Sequence, residues 1–487
     1  MGVLVIDIGT SGLRAGIVRH DGSLHYLNYE SCRPNTPAPG LVEFDAQEMA
    51  DAVFRVCLKT IEQSRATDKI VSLGVTNQRA STVIWSKSTG KPFGPALGWQ
   101  DLRTVGDCMT VAAEHGIKLA PNQTATKAAW MLRHYIDANK IDIRDVRIGT
   151  VDSYIAAVLS NNQLHATDSS NAAVTGLCSL DAHSWSPRLC EILRVDIDTL
   201  PEIVASSGVI GNATTLPGSP PIASLIGDQQ SSLIGQACVT SGATKITFGT
   251  GGMLNTFTGQ QGPTNFTRSE HGTYPIVAFR DATTTHWASE AIMLAAGTNI
   301  DWLCQDLQII SSPEESHELA AQVADSAGVV FVPALFGLGT PHWDYGARGT
   351  LLGITRGTSR SHVVRAVLEG IAHRGADMVD SVVAATQLEV NSIRIDGGMS
   401  RNPTFVQALA DATARNIEIS PVTEATTLGA AFLAGVGVSF WASLAEATST
   451  WRPSQTVRPN SQLDRAQWHE ATSRARNWIP SLSSLDF

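Results

Sequence analysis

Four short segments hold residues whose types and spacing suit chemistry on a phosphate-bearing ligand. In Asp7-Ile8-Gly9-Thr10-Ser11 a carboxylate and two hydroxyls surround a glycine, with Arg14 close behind. Glycine lets backbone N–H groups approach phosphate oxygens, and a carboxylate at a strand end can hold Mg²⁺ through water. A plain structural hairpin explains the same spacing equally well. In Ile226-Gly227-Asp228-Gln229-Gln230 an acid follows an apolar segment at the start of a helix. The helix dipole stabilises a carboxylate there, and the side chain can act as a base toward an attacking hydroxyl. The competing reading is an ordinary N-cap aspartate. Arg394 to Asn402 ends a strand with the pair Gly397-Gly398 and leads into a helix, a turn that leaves room for a nucleotide or is a plain connection. Asn77-Gln78-Arg79 and Trp99-Gln100-Asp101, with Arg103 nearby, place amide, guanidinium and carboxylate groups at strand ends. That mixture suits a polyhydroxylated molecule, with structural pairing of Asp101 and Arg103 as the alternative.

Strand-like and helix-like segments alternate along the chain, the pattern of an α/β protein. Residues 3–19 read as a β-hairpin whose turn is Gly9-Thr10-Ser11-Gly12. The same plan returns about 240 residues later: strand from Thr244, turn at Gly249-Thr250-Gly251-Gly252, return strand Met253–Phe257. The offset is near half of the 487 residues. It predicts two related domains, 1–239 and 240–487, divided after a helix over Gln229–Cys238.

Composition excludes several classes. The chain is 43% hydrophobic and 16% charged, with 35 Lys+Arg against 45 Asp+Glu and a formal net charge of -10. That balance argues against a nucleic-acid partner. Seven cysteines without a CxxC pair support neither a zinc site nor a disulfide framework and fit a reducing, cytoplasmic setting. No HExxH, GxSxG, GxxxxGK[ST] or strand-following GxGxxG occurs, against metallohydrolase, serine hydrolase, P-loop and Rossmann readings. Ala425–Ala445 carries no charge, but its glycines and its lack of flanking Lys or Arg favour a buried helix over a membrane span.

Taken together, the segments resemble the FGGY carbohydrate kinase family, most closely its glycerol kinase branch. The resemblance spans essentially the whole chain in order. It includes Pro39–Asp45, Thr76–Arg79, Gly149–Asp152, Thr167–Ala172, Gly227–Gln230, Gly339–Asp344 and Thr427–Ala431. One family signature is complete, from Gly349-x-Leu351-x-Gly353-Ile354 through His362-Val363 to Ala366-Val367-Leu368-Glu369. The resemblance implies two actin-like, ribonuclease-H-like α/β domains flanking a deep cleft, ATP and Mg²⁺ as cofactors, and a small sugar or polyol as partner. It further implies a homodimer as the family-based expectation. By position, Asp228 resembles the catalytic base, and Asp7 with Asp228 the Mg²⁺ carboxylates. Gly9, Thr10, Ser11, Arg14, Gly249, Thr250, Gly297, Gly397, Gly398 and Asn402 match ATP-contacting positions. Gln78, Arg79, Ala80, Asn122, Asp228 and Gln229 match substrate-contacting ones.

Two of those positions depart from the glycerol kinase pattern. Ala80 stands where a Glu accepts hydrogen bonds from substrate hydroxyls, and Asn122 replaces a Tyr. Asn122 and Ala128 break the family's other signature, although Lys127 and Trp130 remain. Losing a charged acceptor, worth roughly 1.5–3 kcal/mol, weakens glycerol binding about 10- to 150-fold, and the missing Tyr enlarges the pocket. The expectation is therefore a four- or five-carbon polyol or ketose, with glycerol as the alternative. Gln78-Arg79 replaces the Met-His pair of xylulose kinases, and Gly211–Ser219 does not match the loop that binds a sugar bisphosphate effector in some glycerol kinases. An actin-like chaperone lacks residues for a peptide-binding appendage. A silent sugar sensor is disfavoured by the retained Asp7, Asp228 and both Gly-Thr turns.

Overall fold

The computed structural model describes residues 1–485. Two mixed sheets are built on one plan. In the first, the strands run from edge to edge as Gly211–Asn212, Pro221–Gly227, Ile70–Asn77, Gly2–Ile8, Gly12–Arg19 and Leu24–Ser31. The opening strand Gly2–Ile8 is central: it pairs antiparallel with Gly12–Arg19 and parallel with Ile70–Asn77. In the second sheet Thr244–Phe248 has that place, antiparallel to Gly252–Gly259 and parallel to Ser392–Asp396. Both hairpins expected from the sequence are present, and the repeat extends to the parallel strands beside them. Gly2–Ile8 is buried along its whole length, as a near-continuous apolar run covered on both faces should be.

Strand register places the chemistry. Ile8 lies opposite Asn77, and Asn77 opposite Gly227, so three parallel strands end level with one another. The next residues on each, Gly9, Gln78 and Asp228, thus leave the sheet at one edge, outside the carboxyl ends of the strands. In the second sheet Thr247 lies opposite Asp396, which brings the Gly249 and Gly397 turns together.

The charge-free run near residue 430 forms the helix Ala425–Gly437, mostly buried, and among the described residues no helix is long and apolar enough to cross a membrane. It packs on the first sheet and crosses the helix Asp228–Gly235. The crossing is close because of two glycines. A Cβ on Gly429 would lie 1.8 Å from the Ser231 carbonyl oxygen, and one on Gly235 would lie 1.9 Å from that of Ala425. One apolar cluster consequently joins Val3, Val5 and Ile226 of the first sheet to Phe257 and Ile276 of the second through Leu428 and Leu433. A 13-residue helix from the second half therefore covers a face of the first.

Candidate active site

The helix expected over Gln229–Cys238 spans Asp228–Gly235 and is capped by Gly227, so Asp228 is its first residue and not its N-cap. Asp228 accepts a hydrogen bond from the Gln229 backbone N–H at 2.7 Å, and its side chain keeps 30% of its surface exposed. Arg79 Nε approaches it to 3.7 Å. Burial raises the Asp228 pKa, while Arg79, the Gln229 N–H and Lys245 pull it back.

Asp7, at the end of the central strand, is buried, and its pKa is raised to about 7. Burial is the main cause; Arg14 opposes it, and the charges of Asp228 and Glu424 add to it. Arg14 lies 3.7 Å from Asp7 and pairs with Glu424, at the head of the helix Ala425–Gly437. The first turn is closed by Gly9 N–H donating to the Gly12 carbonyl, and Trp99 Nε1 donates to Thr10 Oγ1 at 3.0 Å. Ser11 is exposed.

The second turn is held by Gly297, whose N–H donates to the Gly249 carbonyl at 2.9 Å and whose added Cβ would stand 2.7 Å from that oxygen. Gly397, at φ +87°, packs its backbone on Phe248, where any side chain would collide. No atom lies within 4 Å of where a Gly398 Cβ would be, so that backbone is open to a ligand. Asn402 caps the helix Pro403–Thr413, accepting from Phe405 N–H, while its Nδ2 donates to Ser316 Oγ at 2.9 Å. Asn402→Ala should cost about 1 kcal/mol of stability in urea unfolding; an unchanged midpoint would remove the capping role. A cavity of about 860 Å³ adjoins the Gly397 turn, lined also by Arg401, Ser420, Glu424 and Arg458.

Of the substrate-side candidates, Gln78 is buried with its Oε1 accepting from Ser81 Oγ. Arg79 donates to Glu290 at 2.9 Å, and its Nη1 is buried without a partner. Ala80 is buried at φ +61°, and its carbonyl accepts from Thr124 Oγ1. Asn122 is exposed, its carbonyl accepting from Lys127 Nζ. Positions 80 and 122 therefore flank the start of one helix, Thr124–Met131. Asp101 and Arg103 form the structural pair, closed further by Glu43 and the Val42 N–H.

Three charged residues of the site were not assigned to it from the sequence: Lys245 and Glu290, each in a strand, and Glu424, which flanks the charge-free run. Lys245 is fully buried and donates to Gln229 Oε1 at 2.8 Å and Thr247 Oγ1 at 3.0 Å. The available signal was a lone charge in each of two otherwise uncharged strands, Thr244–Phe248 and Thr285–Met293.

Glycine turns from both sheets, with carboxylates and cations between them, bring together groups that can take anionic phosphate next to a hydroxyl-bearing ligand. The donor set fits Mg²⁺-nucleotide. Asp7 and Asp228 are mutually repelling acids that a divalent cation would relieve. Among the described residues no cluster of three or more metal-ligating side chains occurs, and Mg²⁺ needs only one or two carboxylates when phosphates and water complete its shell.

Comparison with known proteins agrees. The N-terminal domain of the FGGY family of carbohydrate kinases matches residues 2–235, and the family's C-terminal domain matches residues 244–438. Glycerol kinases of Trichlorobacter lovleyi and Gloeobacter violaceus are each 37% identical over 98% of this chain, covering 99% and 97% of their own lengths. The crystal structure of Plasmodium falciparum glycerol kinase with ADP superposes with a TM-score of 0.90 at 29% identity, covering 97% of this chain and 98% of that one. A xylulose kinase from Brucella ovis, 22% identical, shares the fold at a TM-score of 0.83 over 100% of both chains. The chain belongs to the FGGY family of carbohydrate kinases. It is a carbohydrate kinase, a phosphotransferase with an alcohol group as acceptor, using ATP and Mg²⁺.

Proposed function

We propose that this kinase phosphorylates a primary hydroxyl of a small sugar or polyol, with Asp228 as the base that takes the hydroxyl proton. The observation that carries this is the level ending of three strands at Ile8, Asn77 and Gly227, which sets the Gly9 turn, Arg79 and Asp228 side by side. Residues 1–239 supply the acceptor site and base, and residues 240–487 most of the nucleotide site. Gly9, Thr10 and Ser11 in the first turn, with Gly249 and Thr250 in the second, would cradle phosphates. Gly297, Gly397, Gly398 and Asn402 would border the nucleoside. Asp7 and Asp228 would hold Mg²⁺, which neutralises charge on the transferring phosphoryl group.

Phosphoryl transfer passes through a loose transition state, so alignment and charge neutralisation do most of the work. Arg79 and Gln229 would orient the acceptor, and Asp228 Oδ receives the proton as the new bond to oxygen forms. Arg14, tied to both Asp7 and Glu424, joins the first phosphate turn to the second half of the chain. Closure of the cleft would exclude water from the transferring group.

Glycerol is the first acceptor to consider, because the 37%-identical relatives are glycerol kinases. A four- or five-carbon polyol or ketose is the second reading, favoured by Ala80 and Asn122, which stand together at one end of a helix and leave the pocket wider. Coupled ADP release over glycerol, tetritols, pentitols, tetruloses and pentuloses tests both. A longer acceptor exceeding glycerol tenfold in kcat/KM establishes the second; glycerol outrunning all others establishes the first. Ala80→Glu should raise kcat/KM for glycerol about tenfold or more by restoring a charged acceptor. An unchanged value would show that Ala80 does not face the acceptor.

A further inference from the structure

Asp168 has no part in the binding or proton transfer described above, yet it is fully buried close behind the site. As N-cap of the helix Ser169–Ala173 it accepts from the backbone N–H groups of Ser170 and Asn171. It takes three further hydrogens from side chains: Ser170 Oγ at 2.9 Å, Asn171 Nδ2 at 3.0 Å and Ser206 Oγ at 2.6 Å. Capping a five-residue helix accounts for the two backbone contacts and not for the other three.

Each of those side chains carries the contact onward. Ser170 Oγ accepts from the Gly227 backbone N–H at 2.9 Å while its own hydrogen goes to Asp168. Gly227 is the N-cap of the helix that Asp228 opens. Asn171 and Asn77 exchange two side-chain hydrogen bonds of 3.1 Å, and Asn77 Nδ2 donates to the Gln78 carbonyl, one residue before Arg79. Ser206 Oγ accepts from the Arg280 N–H at 3.0 Å, on the strand Tyr274–Arg280 of the second half. One carboxylate thus stands behind the ends of the parallel strands Ile70–Asn77 and Pro221–Gly227. An ionised carboxylate can only accept, and every group around Asp168 donates to it.

We propose that Asp168 is a positioning residue for phosphoryl transfer: through Ser170 and Asn171 its carboxylate aligns the strand ends that carry Asp228 and Arg79. The inference rests on the assignment of Asp228 as the base and goes beyond it to what holds that base in line. Asp168→Asn keeps the size of the side chain. Either orientation of the new amide, however, sets its NH₂ against a backbone N–H, that of Ser170 or that of Asn171. The residue leading to Gly227 or to Asn77 must then shift. A misplacement of about 1 Å at reacting groups costs up to ~10²-fold in rate.

A double-mutant cycle with Asp228 separates alignment from plain stability, because a loss transmitted through the base is not incurred again once the base is gone. Coupled ADP release with Mg-ATP and the fastest acceptor of the panel gives kcat, scaled to the folded fraction from thermal unfolding. Asp168→Asn should lower kcat about tenfold or more and leave KM for ATP within about twofold. In an Asp228→Asn background the same substitution should cost less than about threefold. Ser170→Ala removes the hydroxyl between Asp168 and Gly227 without altering a buried charge. It should follow the same pattern, which keeps the test decisive if Asp168→Asn fails to fold. Equal losses in both backgrounds, or wild-type kcat in the folded variants, would overturn the inference and leave Asp228 as the base. Near wild-type turnover in Asp228→Asn alone would remove the base assignment, and this inference with it.

Discussion

Asp228→Asn should leave a folded protein whose kcat is lower by at least ~10²-fold, within the roughly 10²–10⁴-fold range of general-base catalysis. The substitution keeps the shape of the side chain and an oxygen for the Gln229 N–H, its one close hydrogen bond. It removes the group that can take a proton. Asparagine also relieves repulsion with Asp7, so the loss of rate should come without a loss of stability. Coupled ADP release together with thermal unfolding separates the two, and near wild-type turnover would remove the base assignment. The pH profile adds a sign. Burial raises the pKa of Asp228, with the charge of Glu290 adding to it, and burial lifts that of Asp7 to about 7, with the charges of Asp228 and Glu424 adding to it. Both must be ionised to act, so kcat/KM should fall on the acid side of neutrality, well above the pH at which an ordinary carboxylate protonates. A profile flat down to pH 5 would contradict that arrangement.

Gly429→Ala should be the most damaging small substitution outside the site. The added Cβ would meet the Ser231 carbonyl oxygen at 1.8 Å, a backbone atom that cannot swing away. The reciprocal contact, Gly235 on the Ala425 carbonyl, shows that the two helices touch along their backbones. Ser231 Oγ further donates to the Thr426 carbonyl at 2.6 Å across the crossing. Forcing the helices apart should cost roughly 3 kcal/mol, the upper end for overpacking. Because Asp228 opens one of these helices, kcat should fall as well. Thermal unfolding checks the first effect and ADP release the second; an unchanged melting temperature would show that the crossing can relax. The same argument explains how a charge-free run of membrane-like length folds as a buried helix. Its small residues admit another backbone on one side and a sheet on the other.

Much of this was legible because the chemistry is local. A glycine-rich turn after an apolar strand reads the same wherever it occurs, so both hairpins, the strand ending at Asp396 and the helix after Gly227 could be read from residue type alone. The repeat of the Gly-Thr turn at half the chain length also pointed to two related sheets. Cap identity was less legible: Asp228 is one residue inside its helix, because Gly227 already adopts the extended capping conformation.

Partnership was decided by tertiary structure. Arg79 with Glu290, Arg14 with Glu424 and Gln229 with Lys245 each join the first half of the chain to the second. Their members are separated by 211, 410 and 16 positions, and no local propensity encodes which charge meets which across such gaps. The sequence by itself determined the family, the two-sheet plan and the residue types available for phosphate and proton transfer, since turn chemistry and hydrophobic periodicity act over a few residues. The level ending of the strands, the glycine-to-backbone helix crossing and the ion pairs across the cleft came only from the folded chain. Each depends on register and burial, which bring distant groups within hydrogen-bond range and leave some buried donors without partners.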